Sequence, residues 1–226
     1  MSHLQVRFKN DNQLEAGIDE AGRGCLWGPL YAAAVIWPPE DDWLEEHREL
    51  APRIKDSKKV SPKKRKVLSE KIQATAIDYG IGSVSAKEID ESGMSYANRL
   101  AFVRAIEALS IPVDRILIDG CLPLRSEQLE SLKISEQETI VDGDATYLPI
   151  AAASILAKES RDAIVEEWVS KEPVLQIDYN IGSCKGYGTE KHRKAILDKG
   201  MHPQHRRLFL RKLLNVSVND CLISDV

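Results

Sequence analysis

Two short apolar runs that end in carboxylates limit the possible folds of this chain more than any other feature. Ala16-Gly17-Ile18 leads into Asp19-Glu20, and Ile116-Leu117-Ile118 leads into Asp119. Runs this short, closed by charge, read as central strands buried on both faces, which calls for a sheet with helices on either side. Acidic residues at the ends of such strands stand on rigid backbone and offer the oxygen donors that Mg²⁺ and similar cations select. A further acidic pair, Asp142 and Asp144, follows the run at Glu138–Val141 and precedes a long apolar helix. One Asp before Gly, as in Asp119-Gly120 or Asp142-Gly143, is ordinarily a turn residue. Acidic positions that meet only if the sheet is assembled in this way point instead to a cation site.

The remaining pattern supplies the rest of the domain. Strands are expected at Leu14–Asp19, Tyr31–Trp37, about Ala76–Ser85, Arg115–Asp119 and Glu138–Val141, with Pro38-Pro39 closing the second. Ser61-Pro62 opens a basic helix, Ser as N-cap and Pro at the first position. Helical spacing of apolar residues marks Ser95–Leu109, which Ile111-Pro112 ends, and Pro149 starts the long helix Ile150–Val169. Shorter helices are expected at Glu190–Lys199 and about His205–Leu213. The order β-β-β-α-β-α-β followed by helices describes an α/β domain with a mixed sheet and a helical C-terminal extension. A chain of 226 residues suits one large domain with a small appendage, here 1–175 and a helical extension packed on it at 176–226.

The formal net charge of −4 taken alone argues against a polyanionic partner. Its distribution argues otherwise. Residues 53–71 hold nine Lys/Arg against two acids, and residues 185–212 again nine against two, so each segment is +7 and the rest of the chain is −18. One Lys-rich run is commonly a solvated helix face; two suggest basic walls that could hold a polyanion. Apolar runs such as Tyr31–Trp37 and Ile150–Ala157 fall far short of the ~20 residues that cross a bilayer. No membrane association is expected. The start Met-Ser-His-Leu-Gln-Val-Arg lacks a secretory pattern, which gives a cytoplasmic expectation. Cys25, Cys121, Cys184 and Cys221 form no Cys-x-x-Cys pair and are expected to be free thiols.

Several motifs then resemble one family. Gly17-Ile18-Asp19-Glu20-Ala21-Gly22-Arg23-Gly24, with Gly28-Pro29 and Ala32-Ala33-Ala34-Val35 after it, is similar to the opening signature of type 2 ribonuclease H, specifically bacterial ribonuclease HII. Asp56-Ser57-Lys58-Lys59-Val60-Ser61, Ile118-Asp119-Gly120, Gly143-Asp144 six residues before Ile150-Ala-Ala-Ala-Ser-Ile-Leu-Ala-Lys158, Lys185-Gly186-Tyr187-Gly188-Thr189-x-x-His192 and His205-Arg206-Arg207 follow in family order. The resemblance covers about residues 15–209. Cys25 and Trp27 stand where the family usually has Pro and a small residue.

The resemblance implies a ribonuclease H-like fold, with a mixed five-stranded sheet flanked by helices. It implies an endonuclease acting on RNA strands paired with DNA and on single ribonucleotides embedded in duplex DNA, leaving 5′-phosphate and 3′-hydroxyl ends. Asp19, Glu20, Asp119 and Asp144 would be the catalytic carboxylates binding two Mg²⁺ or Mn²⁺ ions, the six-residue step to Ile150 selecting Asp144 over Asp142. Gly22, Arg23 and Gly24 would read the ribonucleotide largely through backbone groups, Tyr187 would stack on the sugar, and Lys58 and Lys185 would contact phosphates. The expected partner is nucleic acid and the expected state a monomer. A different two-metal nuclease of the same fold and a non-catalytic hybrid-binding module are the alternatives at this point.

Overall fold

The computed structural model describes residues 4–55, 57 and 60–214. β1 (Glu15–Ala21), β2 (Leu30–Ile36), β3 (Asp78–Val84), β4 (Arg115–Asp119) and β5 (Glu136–Ile140) form one sheet in the order β3-β2-β1-β4-β5. The first three strands pair antiparallel, while β1 pairs parallel with β4 and β4 parallel with β5. The sheet is therefore mixed and five-stranded, with the two carboxylate-tipped runs as neighbours near its centre.

Ten α-helices are present among the described residues: α1 (Glu45–Leu50), α2 (Pro62–Thr75), α3 (Ala86–Ser92), α4 (Met94–Glu107), α5 (Ser126–Leu132), α6 (Leu148–Lys171), α7 (Val174–Ile177), α8 (Ile181–Cys184), α9 (Glu190–Lys199) and α10 (Arg207–Leu214). Strand alternation divides the core into two layers. Ala33 and Val35 pack on the Ala151–Ala157 stretch of α6 together with Leu68 and Ile72 of α2. Ala16, Ile18, Ile116 and Ile118 pack on Ala97, Ala101, Phe102 and Ala105 of α4. Small residues let α6 press directly on β1: a Cβ on Gly17 would lie 2.3 Å from the Ile150 backbone nitrogen. A third cluster joins Trp27, Val165 and Trp168 to Leu175, Tyr179, Ile181, Ile196 and Leu210, and seats the C-terminal helices against the outer half of α6.

Several boundaries differ from the sequence reading. His205 is not helical: it pairs with Trp27 in an isolated antiparallel bridge, and α10 begins at Arg207. The basic helix starts at Pro62 as expected, but the Ser61 side chain makes no capping bond. Five short helices went unrecognised because four to seven residues carry too little of a 3.6-residue period. Of these, α3 had a local signal, since Ser85 and Glu88 form a reciprocal capping box.

Candidate active site

The parallel register of β1 and β4 sets Ile18 beside Ile118, so Asp19 and Asp119 leave neighbouring strands at the same level. Gly17 and Leu117, two residues earlier on each strand, pack against the start of α6, and alternation puts both aspartates on that side. Asp19 is 7% exposed. It accepts the Glu20 N–H at 2.7 Å and is hydrogen-bonded by Ser154 of α6. Burial, reinforced by the charges of Glu20 and Asp119, pushes its carboxyl well above the usual carboxylate range. Glu20 falls on the other face, where the Asn98 side-chain amide of α4 donates to it at 3.5 Å and Arg23 lies 3.7 Å away.

After β5 the chain turns through Asp142, whose backbone is left-handed at φ 54° and whose side chain is exposed. That turn aims the N–H groups of Gly143 and Asp144 at Asp119 Oδ1, at 2.8 and 3.4 Å. Asp144, 9% exposed, thus lies beside Asp119 while Asp142 faces solvent. Among the described residues, no three His, Cys, Asp or Glu side chains are drawn together closely enough to hold a metal ion. Like charges repel, and Asp19 and Glu20 leave the strand on opposite faces. The donors are nevertheless all oxygens, and burial beside acidic neighbours raises the Asp19 carboxyl, the electrostatic condition a hard divalent cation relieves.

The loop after β1 is shaped from behind by two arginines that the sequence reading passed over. Arg161 of α6 is fully buried and donates to the carbonyls of Pro29 (3.1 Å), Trp27 (3.2 Å) and Lys185 (2.8 Å). Arg206, equally buried, donates to those of Gly22 (2.8 Å), Arg23 (3.1 Å) and Gly28 (2.9 Å). Burial lowers its guanidinium to about 10. Gly22 has φ 92°, and a Cβ there would lie 2.0 Å from Arg161 Nε, whereas Gly24 faces open space. Glycine at 22 is thus already demanded by the protein's own packing. Tyr187 bridges to Cys25 across this loop, the residue 44% exposed and Lys158 Nζ 5.9 Å from its ring centroid.

Two expected phosphate contacts remain. The Lys185 ammonium is ion-paired with Glu166 at 2.8 Å, and Lys58 lies outside the described residues. The basic segments do not present every charge to solvent. Arg53, Lys55, Lys63 and Lys64 line a surface groove, but Arg65 turns inward to Glu159 (2.5 Å) and Asp162 (3.1 Å), and Arg206 is buried as above. Cys25, Cys121 and Cys184 are free thiols, and Cys221 lies outside the described residues. Ser154, Asn98, Arg161 and Arg206 all escaped the sequence reading. A polar residue within an otherwise apolar helical run was the signal for Ser154, whereas Asn98 and Arg161 stand beside other polar residues and none marked Arg206 beyond its place in a motif.

No described helix is long and apolar enough to cross a membrane. The family model described as ribonuclease HII matches residues 16–212. A ribonuclease HII from Synechococcus sp. (strain CC9902) is 43% identical over 199 residues, covering 88% of this chain and 93% of that protein. The crystal structure of the ribonuclease H2 from Pyrococcus horikoshii OT3 superposes with a TM-score of 0.67 at 29% identity, covering 89% of this chain and 97% of the other. A Bst ribonuclease HIII in complex with Mn²⁺ shares the fold, with a TM-score of 0.64 at 18% identity over 92% of this chain and 71% of the other. The match runs from β1 through the C-terminal helices and so takes in the paired strand ends, the arginine-backed loop and Tyr187: this chain belongs to the ribonuclease HII family and is a hydrolase of the ribonuclease H type.

Proposed function

We propose that the chain is an endonuclease that cuts the RNA strand of RNA/DNA hybrids and single ribonucleotides embedded in duplex DNA, leaving 5′-phosphate and 3′-hydroxyl ends. The observation that carries this reading is the common face of Asp19 and Asp119 at the tips of adjacent parallel strands, with the Gly22–Gly24 backbone directly after one of them. Asp19, Glu20, Asp119 and Asp144 would hold Mg²⁺ or Mn²⁺, two ions when substrate is bound, which in phosphodiester hydrolysis activate water and stabilise the leaving oxygen.

The protein's own groups prepare that site. Ser154 and the Glu20 N–H fix one face of Asp19, the Gly143 N–H fixes Asp119, and the Asn98 amide steadies Glu20. Bare backbone at Gly24 lets a ribose 2′-hydroxyl and its flanking phosphates approach the main chain. The exposed Tyr187 ring offers a stacking surface for the adjoining sugar. Lys58 and Lys185 contact phosphates, the second by exchanging Glu166 for the nucleic acid. In this reading residues 1–175 carry the chemistry, 176–226 form the substrate-binding extension, and the chain acts as a cytoplasmic monomer. The test is a cleavage assay with and without Mg²⁺ on duplexes holding one ribonucleotide, a run of RNA, or none. Metal-dependent cutting of the first two alone is expected, and binding without cutting would overturn the proposal.

A further inference from the structure

Beneath Tyr187 lies a pair of histidines that the mechanism does not use. His192 and His205 are 0% and 2% exposed, and one proton arrangement of their ring nitrogens satisfies their shortest contacts, the Cys184 thiol lying farther off at 3.7 Å from His192 Nδ1. His192 Nδ1 is 2.9 Å from the Tyr187 carbonyl oxygen, which can only accept, so Nδ1 carries the proton. His192 Nε2, 2.9 Å from His205 Nε2, is then the acceptor and His205 Nε2 the donor. That leaves His205 Nδ1 without a proton, and it accepts the His202 N–H at 2.8 Å. Its 3.3 Å approach to the His202 carbonyl therefore carries no hydrogen bond. Facing Nε2 atoms this close leave no room for a metal ion between the rings.

Both rings must be neutral for the chain to exist, and their surroundings keep them so. Burial and the adjacent His192 drive His205 down to about 3, and burial lowers His192. The chain of bonds runs from the reading surface to its support. At one end Tyr187 is held at its carbonyl, while its own N–H donates to Cys184 at 2.9 Å. At the other end His205 bridges to Trp27 and is followed by Arg206, whose guanidinium holds Gly22 and Arg23. One dipeptide, His205-Arg206, thus anchors both halves of the surface.

We infer that His192 and His205 are positioning residues for ribonucleotide recognition, fixing Tyr187 relative to the Gly22–Gly24 loop through the hydrogen-bond chain His205 to His192 to the Tyr187 carbonyl. The inference rests on the reading of Tyr187 as the ring that meets the sugar at the ribonucleotide.

The experiment compares kcat/KM on a duplex with one ribonucleotide and on a long RNA/DNA hybrid for the parent, His192→Leu, His192→Asn, Tyr187→Ala and the double variant His192→Leu/Tyr187→Ala, with Tm as a folding control. Asn keeps a donor where Nδ1–H stood, and Leu does not. His192→Leu is expected to lower the single-ribonucleotide rate roughly three- to ten-fold more than the hybrid rate, the scale of one hydrogen bond. His192→Asn should recover most of that loss, and the double variant should be no worse than Tyr187→Ala alone. Equal losses for Leu and Asn, or a full additional loss in the double variant, overturn the inference while leaving Tyr187 in its role. A Tyr187→Ala variant that matches the parent on both substrates overturns the role of Tyr187 and this inference with it. Ring-nitrogen NMR adds a readout free of activity: His192 protonated at Nδ1 and His205 at Nε2 are expected, and the opposite tautomers overturn the chain.

Discussion

The two central strands carry opposite electrostatics at their two ends. Where β1 and β4 begin, Glu15 faces Arg115 in register, and the buried guanidinium also binds Asp11 and Glu136 at 2.7 Å each. Glu15 is bonded to the same guanidinium and accepts the Phe8 and Lys9 N–H groups at 2.9 and 3.2 Å. Arg115 holds Asp11 below the usual carboxylate range, and Lys9 together with Arg115 does the same for Glu136. Where the same strands finish, burial beside Glu20 and Asp119 holds Asp19 above that range. One end is neutralised from within the protein; the other keeps its acids in one another's company. The first arrangement is what a fold needs and the second is what a cation needs, so on the proposed function stability and chemistry are separated along about five residues of strand.

The sharpest way to break this contrast is to neutralise each end in turn. Asp19→Asn or Asp119→Asn should lower kcat by roughly three orders of magnitude or more, while the metal-free Tm rises because a buried repulsion is gone. Mg²⁺ should raise the Tm of the parent and not that of either variant. Cleavage near the parent rate would remove these residues from the site. At the opposite end Arg115→Met leaves Glu15 buried without its cation and should cost about 3–5 kcal/mol in urea unfolding, with kcat per folded molecule preserved. A Tm equal to the parent's would show that this end does not hold the fold.

The pH dependence sharpens the same contrast, because the two ends have opposite signs. Asp11 and Glu136 titrate below their ordinary values, so their stabilisation is complete above the ordinary carboxylate pKa of about 4 and is lost as pH falls through the lowered values. Asp19 titrates above its ordinary value, so the native state keeps a proton the unfolded chain has released, and stability falls as pH rises toward the raised value. With metal chelated, the deficit of Glu136→Gln should therefore shrink as pH falls below about 4, and the advantage of Asp19→Asn should grow as pH rises above about 4. Parallel curves for parent and Asp19→Asn would contradict the repulsion. The smallest effect is expected from Asp142→Asn, which alters a solvent-facing side chain and should leave cleavage near the parent rate, whereas Asp144→Asn should resemble Asp119→Asn.

How much of this was legible follows from the range of each signal. The strands Tyr31–Trp37 and Arg115–Asp119, and the long helix after Pro149, were readable because burial on both faces writes an unbroken apolar run into the sequence. The parallel pairing that brings Asp19 level with Asp119 was not, since register depends on residues about a hundred positions apart. The carboxylates stood out because their types and places were both unusual. Arg161 and Arg206 did not, because an arginine that binds main-chain carbonyls leaves no pattern in the residues it binds. Arg65 illustrates the reverse error: counted with a basic surface run, it is an internal strut between α2 and α6.

The grip of Arg206 on the carbonyls of Gly22 and Arg23 spans 184 and 183 residues of sequence. A chain made from its N-terminus completes β1 and the loop behind it early, yet Gly22 and Arg23 gain this hold only when residue 206 has been added. At synthesis rates of about 5–20 residues per second the interval is roughly ten to forty seconds. Asp19, and later Asp119 and Asp144, are made before that hold exists, which in the proposed function leaves a partly made chain without a set surface for selecting a phosphodiester. On that reading, the order of manufacture itself keeps an unfinished chain from choosing a target.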